Sequence, residues 1–465
     1  MQIKTGKGPV TLMVVLAIWS LSLAVDLPGL AVTPIEGKLH TIFKDVTDFK
    51  IQLLTVLPNL IIIPFVLLSG KLSETTHKIA LIVTGIICYA LSGALSLFVS
   101  SLTILIWLSC LLGAGCGLIL PFATGLIADV FTGAYRTKQM GIVSAIGNIA
   151  LVGATFAVGF LAAKDWHLPF IVYLIPLVSL LLLPWLKKIP KEDLLEGATD
   201  SGVAVQPAQS SAQTTPQAGT QPQAAQGSTQ PVQAQQQSQP QSQPAQGVPL
   251  IDADGFSTQG QTVKWGFYIG RTIWLMVAYA FFEFACSLQT YYLPNLMPEY
   301  GMDVEKVSMV TSVFYFAMFI IGIFVTAVLR VLRRYTFIIS TAAIVAGFLI
   351  YLFTKDFVLY VVAAGLAGLG NGQTQPIFYT KATELVTKGS KSTLALALLQ
   401  AANYIGISLV PVIVNAFVFI FRDHSAIFPF ILGTVFTAIA LVIIILRRDH
   451  FVFGIHKAYF DSSAS

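Results

Sequence analysis

Two carboxylates stand in stretches where a carboxylate is expensive. Asp26 lies about two-thirds along the apolar stretch 10–33, and Glu283 lies near the middle of the apolar stretch 270–295. A charge at the centre of a bilayer costs at least ~2.5–3.5 kcal/mol, so a residue kept there faces a cavity, pairs with another group or binds a proton. Neither has a basic partner within an apolar stretch, because every Lys and Arg falls at or near the end of one. A carboxylate so placed can hold a proton in one state of the molecule and release it in another, which is the chemistry of coupling to a proton gradient. Asp26 is also close enough to the end of its stretch to be a wetted structural residue. Amides share these surroundings: Gln52, Asn59, Asn148, Gln289, Asn371, Gln373, Gln375, Gln400 and Asn403. They either line a solute cavity or tie helices together with bonds worth roughly 0.6–2 kcal/mol. Asn148, Asn403, Gln289 and Gln400 are read as cavity lining.

Other chemistries find no matching pattern. The four cysteines, Cys88, Cys110, Cys116 and Cys286, all fall in apolar stretches without metal-ligand spacing. The six histidines lie near the ends of stretches or between them. No nucleophile–base set occurs, and no G-x-x-x-x-G-K-[ST] phosphate loop is present. The expectation is a protein with no catalytic residues, no metal and no cofactor, driven by an ion or solute gradient.

The elements that must position these groups are duplicated. The stretch from Gly113 to Arg136 reappears from Gly368 to Lys391 at a constant offset of 255 residues. Gly113, Gly115, Gly117, Pro121 and Asp129 map onto Gly368, Gly370, Gly372, Pro376 and Glu384, and Asn148 maps onto Asn403 without a gap. The glycines are read as packing residues that let helices approach and slide. A duplicated apolar unit with polar residues at matched depths is the signature of a two-fold pseudosymmetric transporter.

Composition agrees. The chain is 55% hydrophobic and 11% charged, with a mean hydropathy of +0.77, whereas soluble domains carry about 25% charged residues. Twelve apolar blocks are predicted as membrane-spanning helices: 10–33, 49–70, 79–99, 101–130, 139–163, 167–186, 270–295, 305–329, 335–354, 357–386, 391–421 and 425–446. Each is near the ~20 residues that cross a bilayer core, and lipid leaves the backbone no partner outside a helix. The predicted fold class is therefore all-α membrane protein, with two pseudosymmetric six-helix bundles.

With both termini placed inside, 20 of the 27 Lys and Arg residues fall on the cytoplasmic side and seven outside. This is the asymmetry of the positive-inside rule. It predicts a multi-pass protein of the cytoplasmic membrane with both termini cytoplasmic. The net charge of +5 is scattered over short loops, so it is read as a topological signal and not as a nucleic-acid site. From Gln206 to Gln246, 16 of 41 residues are Gln and none is charged; such a tract buries too little to offset the cost of ordering. The predicted organisation is an N-terminal bundle (1–190), a disordered Gln/Pro-rich cytoplasmic linker (191–265), a C-terminal bundle (266–450) and a cytoplasmic tail (451–465).

Six helices, a long inside loop and six more helices resemble the major facilitator superfamily over nearly the whole chain outside the linker. The loop Gly70-Lys71-Leu72-Ser73-Glu74-Thr75-Thr76-His77-Lys78 resembles the family's G-x-L-x-D-R-x-G-R-R motif, with Thr75 and His77 departing from it. The turn Asp165-Trp166-His167-Leu168-Pro169-Phe170 resembles the family's W-R-x-P-F turn, with His167 in the Arg position. The resemblance implies a cytoplasmic latch formed by Gly70, Glu74, Lys78, Asp129 and Arg136, with Glu384 and Lys391 as repeat equivalents. It also implies a monomeric unit. Two signatures of drug–proton exporters are missing. The helix-4 Arg positions hold Ser109 and Leu111, and the helix-5 Gly-Pro is matched by Gly153-Ala154.

The sequence is therefore read as a secondary carrier of a small organic solute, working by alternating access in the lipid bilayer with protons as the coupling ion. The lack of basic residues at mid-depth argues against a phosphorylated or strongly anionic solute. A hydrophobic or cationic compound fits better, moved by an exporter. The alternatives are a nutrient uptake permease or facilitator, and a transporter-shaped solute receptor.

Overall fold

The computed structural model describes residues 2–6, 9–24, 27–28, 30–32, 39, 42–43, 48–74, 78–186, 256, 261–387 and 389–455. Asp26, Thr75, His77 and most of the predicted linker lie outside them. Twelve α-helices are described, six in each half of the chain. The first six are α1 (Leu12–Ser20), α2 (Asp48–Leu72), α3 (Lys78–Ser96), α4 (Leu102–Val130), α5 (Gly133–Lys164) and α6 (Leu177–Leu186). The second six are α7 (Ile269–Glu299), α8 (Val304–Leu332), α9 (Thr336–Phe353), α10 (Phe357–Thr383), α11 (Ser392–Phe421) and α12 (Phe428–Leu446). Among the described residues ten stretches are long and apolar enough to cross a bilayer, one of them holding both α8 and α9, while Leu12–Ala24 is shorter.

Three elements depart most from their predicted bounds. Block 10–33 is α-helical only over Leu12–Ser20 and continues as a 3-10 turn over Leu21–Ala24. α5 starts at Gly133, before the predicted 139, because Tyr135, Arg136 and Lys138 extend the helix beyond its apolar part. Block 167–186 is split into a 3-10 segment, Leu168–Leu174, and α6. The break falls at Pro176, which cannot donate a backbone bond. Elsewhere caps place the ends. The Asp356 carboxylate accepts from the amides of Val358 and Leu359 at 2.9 and 3.1 Å, fixing the start of α10. Arg333, at φ +47°, separates α8 from α9.

The repeat is visible as duplicated contacts. A Cβ on Gly113 would come within 2.5 Å of the Pro58 carbonyl oxygen, and one on Gly368 would strike the carbonyl of Phe314, so α4 crosses α2 as α10 crosses α8. A Cβ on Gly115 would lie 2.7 Å from the Gly85 oxygen. One on Gly370 would strike the oxygen of Ser340, which stands 255 residues after Gly85. Only a residue without a side chain permits such backbone approach.

Within each half, α4 packs on α2 and α3, and α10 packs on α8 and α9. The halves meet through two equivalent contacts, α2 with α11 and α5 with α8. Gly141 and Gly322 abut backbone to backbone in the second, and Gly70 abuts Ala397 in the first.

One end of the molecule gathers Lys78, Arg136, Arg271, Arg333, Lys381, Lys391 and Arg447 at helix ends and is called here the basic face. Each half opens there with a β-hairpin: β1 (Gln2–Lys4) pairs with β2 (Pro9–Thr11), and β3 (Val263–Lys264) with β4 (Phe267–Tyr268). The second hairpin lies across the predicted linker boundary at 265/266. Its tip, Trp265-Gly266, has positive φ at both residues, as a two-residue hairpin turn requires. The Thr132 amide donates to the Thr5 carbonyl and the Thr387 amide to the Gly266 carbonyl, both at 3.0 Å. Thr132 and Thr387 are themselves 255 residues apart, so both hairpins dock on equivalent loops.

Candidate functional site

A cavity lies where the two halves meet. α4 contributes Ala123 and Thr124, α5 contributes Val143, Ser144, Gly147 and Asn148, and the turn after α1 contributes Ser22. From the other half come Gln375 and Tyr379 of α10 and Gln400 of α11. The cavity volume is about 20 Å³, room for a water or two. A drug-sized ligand needs some 300–1,000 Å³. Among the described residues this cavity is too small for an organic solute, and admitting one there requires its two sides to part.

Of the four predicted lining residues, Asn148 and Gln400 border this cavity. Gln289 and Asn403 are buried, at 2% and 5% exposure, but stand outside the lining. The residues that sequence reasoning missed are Ser22, Thr124 and Ser144. Small hydroxyls are common in membrane helices, where they bond their own backbone, so they give little signal.

Glu283 is 7% exposed and sits on α7, one turn beyond Tyr279. The i, i+4 spacing puts both side chains on one face of the helix. The Tyr279 hydroxyl donates to the Tyr379 hydroxyl at 3.4 Å, and the two rings meet edge to face with centroids 6.0 Å apart. Tyr379 in turn lines the cavity. Glu283 is therefore set back from the cavity behind two tyrosines.

Below the cavity, on the basic face, the halves are fastened to each other. The Arg136 guanidinium bonds the carbonyl of Phe131 at 2.9 Å and reaches across to Thr383 Oγ1 at 2.8 Å. Thr380 Oγ1 donates to Thr137 Oγ1 at 3.3 Å, and Gln400 Nε2 donates to the Leu120 carbonyl at 3.3 Å. A Cβ on Gly125 would lie 2.8 Å from Thr393 Oγ1, so α4 and α11 are also in contact there. Lys78 and Asp129 form an ion pair at 2.5 Å within the first half, both largely buried. Glu74 is exposed, while Gly70 lies against α11. Lys391 Nζ donates to the Trp265 carbonyl at 2.6 Å, within its own half. Glu384 is half-buried at the C-cap of α10.

The segment after α12 folds back on the second half. Phe451 and Val452 are buried. Lys381 Nζ donates to the carbonyls of Phe451 and Gly454, the latter at 2.7 Å. The Arg271 guanidinium lies 4.5 Å from the Phe451 ring centre, and Phe256 meets that ring edge to face. Burial first, and then the charges of Arg447, Lys381 and Arg271, hold the neighbouring His450 below its ordinary pKa. Among the described residues no group of His, Cys, Asp and Glu is placed to hold a metal ion.

Comparison with known proteins agrees with this architecture. The profile of the Major Facilitator Superfamily matches residues 10–270 and 273–455. The solved structure of the proton:xylose symporter XylE superposes with a TM-score of 0.65 at 12% identity, covering 97% of this chain and 98% of the other. That of the human organic anion transporter MFSD10 gives 0.60 at 12%, covering 92% and 97%. Among curated relatives, the multidrug transporter protein MdtP of Bacillus subtilis (strain 168) is 30% identical over 108 residues, which is 23% of this chain and 20% of that one. The quinolone resistance protein NorA of Staphylococcus aureus (strain MRSA252) is 30% identical over 114 residues, 24% and 29% of the two chains. The match thus spans less than a third of either relative. With twelve helices in two like halves and a family profile matched along both, the chain belongs to the Major Facilitator Superfamily and is a multi-pass membrane transporter, not an enzyme.

Proposed function

We propose that the protein is a secondary carrier of a small organic solute, working as a monomer in the plasma membrane by alternating access, with Glu283 as the proton-coupling residue. The observation that carries this reading is a cavity lined from both halves, with Arg136, Thr137 and their partners in α10 fastening the halves on the basic face. Rocking the halves about α2–α11 and α5–α8 would break those contacts and expose the cavity on that side. By its excess of Lys and Arg the basic face is read as cytoplasmic, with both termini there. Glu283 is buried and lies one turn from Tyr279, whose hydroxyl donates to that of Tyr379 at the cavity wall, which puts its protonation within reach of what the cavity holds. Asp26 is a second candidate for the same role.

A second reading, export of hydrophobic or cationic compounds, is favoured by the 30% identity to MdtP and NorA. The test is internal pH in proteoliposomes as solutes are added, with wild type and Glu283→Gln in parallel. A solute-driven proton flux that the variant loses is expected. Solute movement without a proton signal in either protein would remove proton coupling and leave a facilitator.

A further inference from the structure

The lining of the cavity carries a specific pattern of hydrogen-bonding capacity. Seven of its ten residues are polar, and none bears a formal charge. Three of their atoms are buried without a hydrogen-bond partner among the described residues: Thr124 Oγ1 and Ser144 Oγ from the first half, and Gln400 Oε1 from the second. Thr124 and Gln400 are 2% and 1% exposed. Native structures rarely leave such groups unpaired, because each forfeits its bonds to water.

The orientation of Gln400 is fixed. One of its two Nε2 protons goes to the carbonyl of Leu120 at 3.3 Å, and only the amide nitrogen can face a carbonyl. What Gln400 turns elsewhere is an acceptor, which demands a donor. The two hydroxyls can each give and take one bond. A quaternary cation offers no donor to Gln400, and no cation meets a carboxylate on this wall; an anion meets no Lys or Arg.

We propose that the cavity selects a neutral solute bearing several hydroxyl groups, one donating to Gln400 Oε1 while others bond Thr124 and Ser144. Such a solute would bond groups of both halves at once, in a form more open than this one, because the cavity here has room only for a water or two. The proposal rests on reading the cavity as the solute site, and it names the substrate class of that site.

Binding to the purified full-length protein would be measured by calorimetry with glucose, mannitol and tetraphenylphosphonium as probes. At least one of the two hydroxylated probes should bind. Its affinity should fall tenfold or more in Thr124→Val and Gln400→Leu, and stay near wild type in Thr124→Ser, which keeps the hydroxyl. The Thr124→Val/Ser pair separates a lost hydrogen bond from a damaged fold, and monodispersity on gel filtration checks each variant. Binding of tetraphenylphosphonium alone overturns the proposal. So does an absence of binding by both hydroxylated probes, which leaves the hydroxyls as partners for water only, or an affinity unmoved by Thr124→Val and Gln400→Leu. Failure of the carrier reading looks different: a hydroxylated probe binds with the expected variant pattern but is not moved across proteoliposomes.

Discussion

At the basic face the two halves use equivalent positions differently. In the first half Asp129 is paired with Lys78, and Arg136 leaves its own bundle to hold Thr383 of the other. In the second half the equivalent of Arg136, Lys391, turns back to the hairpin at Trp265. A second cation of that half, Lys381, is committed to the segment after α12. Deeper in the membrane the halves are near copies, with Gly115 against Gly85 matched by Gly370 against Ser340. Duplication has thus been kept where backbone meets backbone and lost where charges choose partners. A helix crossing at van der Waals distance tolerates almost no change of side-chain volume, whereas a long cation can reach several acceptors at little cost. The two equivalent cations thus differ: Arg136 crosses to the other half, and Lys391 bonds within its own.

The ion pair is the point at which this contrast should break most visibly. Removing one partner of a largely buried pair costs roughly 3–5 kcal/mol. Lys78→Met or Asp129→Asn should therefore lower the thermal midpoint in detergent by many degrees. Lys391→Met, which removes a bond from a half-buried cation to the carbonyl of the exposed Trp265, should cost less, about 1 kcal/mol. Equal losses in the two halves would refute the asymmetry.

Arg136 gives the next largest effect. A charge-assisted bond contributes roughly 1.5–3 kcal/mol, so Arg136→Ala should shift the balance between closed and basic-face-open forms about ten- to a hundredfold. Labelling of a cysteine placed at Ser144, with a membrane-impermeant thiol reagent applied from the basic face, measures that shift. Arg136→Lys should keep only part of the closure, because an ammonium cannot hold Thr383 and the Phe131 carbonyl in one planar fork. If Lys391→Ala opens the cavity as far as Arg136→Ala does, the fastening is shared by both halves.

His450 sharpens the comparison with the smallest effect. Its pKa is held down when the segment is docked. As pH falls below the ordinary value of ~6.5, the released segment binds a proton that the docked one refuses, and docking weakens. Limited proteolysis after Arg447 and Arg448 should quicken a few-fold between about pH 7.5 and 5.5, and His450→Gln should flatten that dependence. A profile unchanged by the substitution would assign the effect to another group.

Much of this was legible in the sequence where apolar length and repetition coincide. The predicted blocks for α4, α9 and α11 fall within one residue of the observed helices at both ends, because an uncharged run and a lipid core select the same residues. Legibility failed where structure is set by single contacts. The hairpins are strands of two or three residues, too short for any alternation to register. The hydroxyls of Thr124 and Ser144 look like ordinary membrane-helix residues until their neighbours are known. The fold-back after α12 did carry a signal, the apolar run Phe451-Val452-Phe453, but only its landing on Lys381 and Arg271 gives it a role. Of the latch set, the pairing of Lys78 with Asp129 depends on two helix ends meeting 51 residues apart, which no local pattern encodes.

The two hairpins have a consequence for how the chain is made. Each is stapled to the loop joining the fourth and fifth helices of its half, through Thr132 or Thr387. The first hairpin cannot complete its bonds until some 130 further residues have been made. In the second half the hairpin at Val263 waits in the same way for Thr387. Closing such long loops comes late in assembly. Each hairpin is thus a seal applied after insertion, available only to a bundle whose first four helices are already threaded in the correct order.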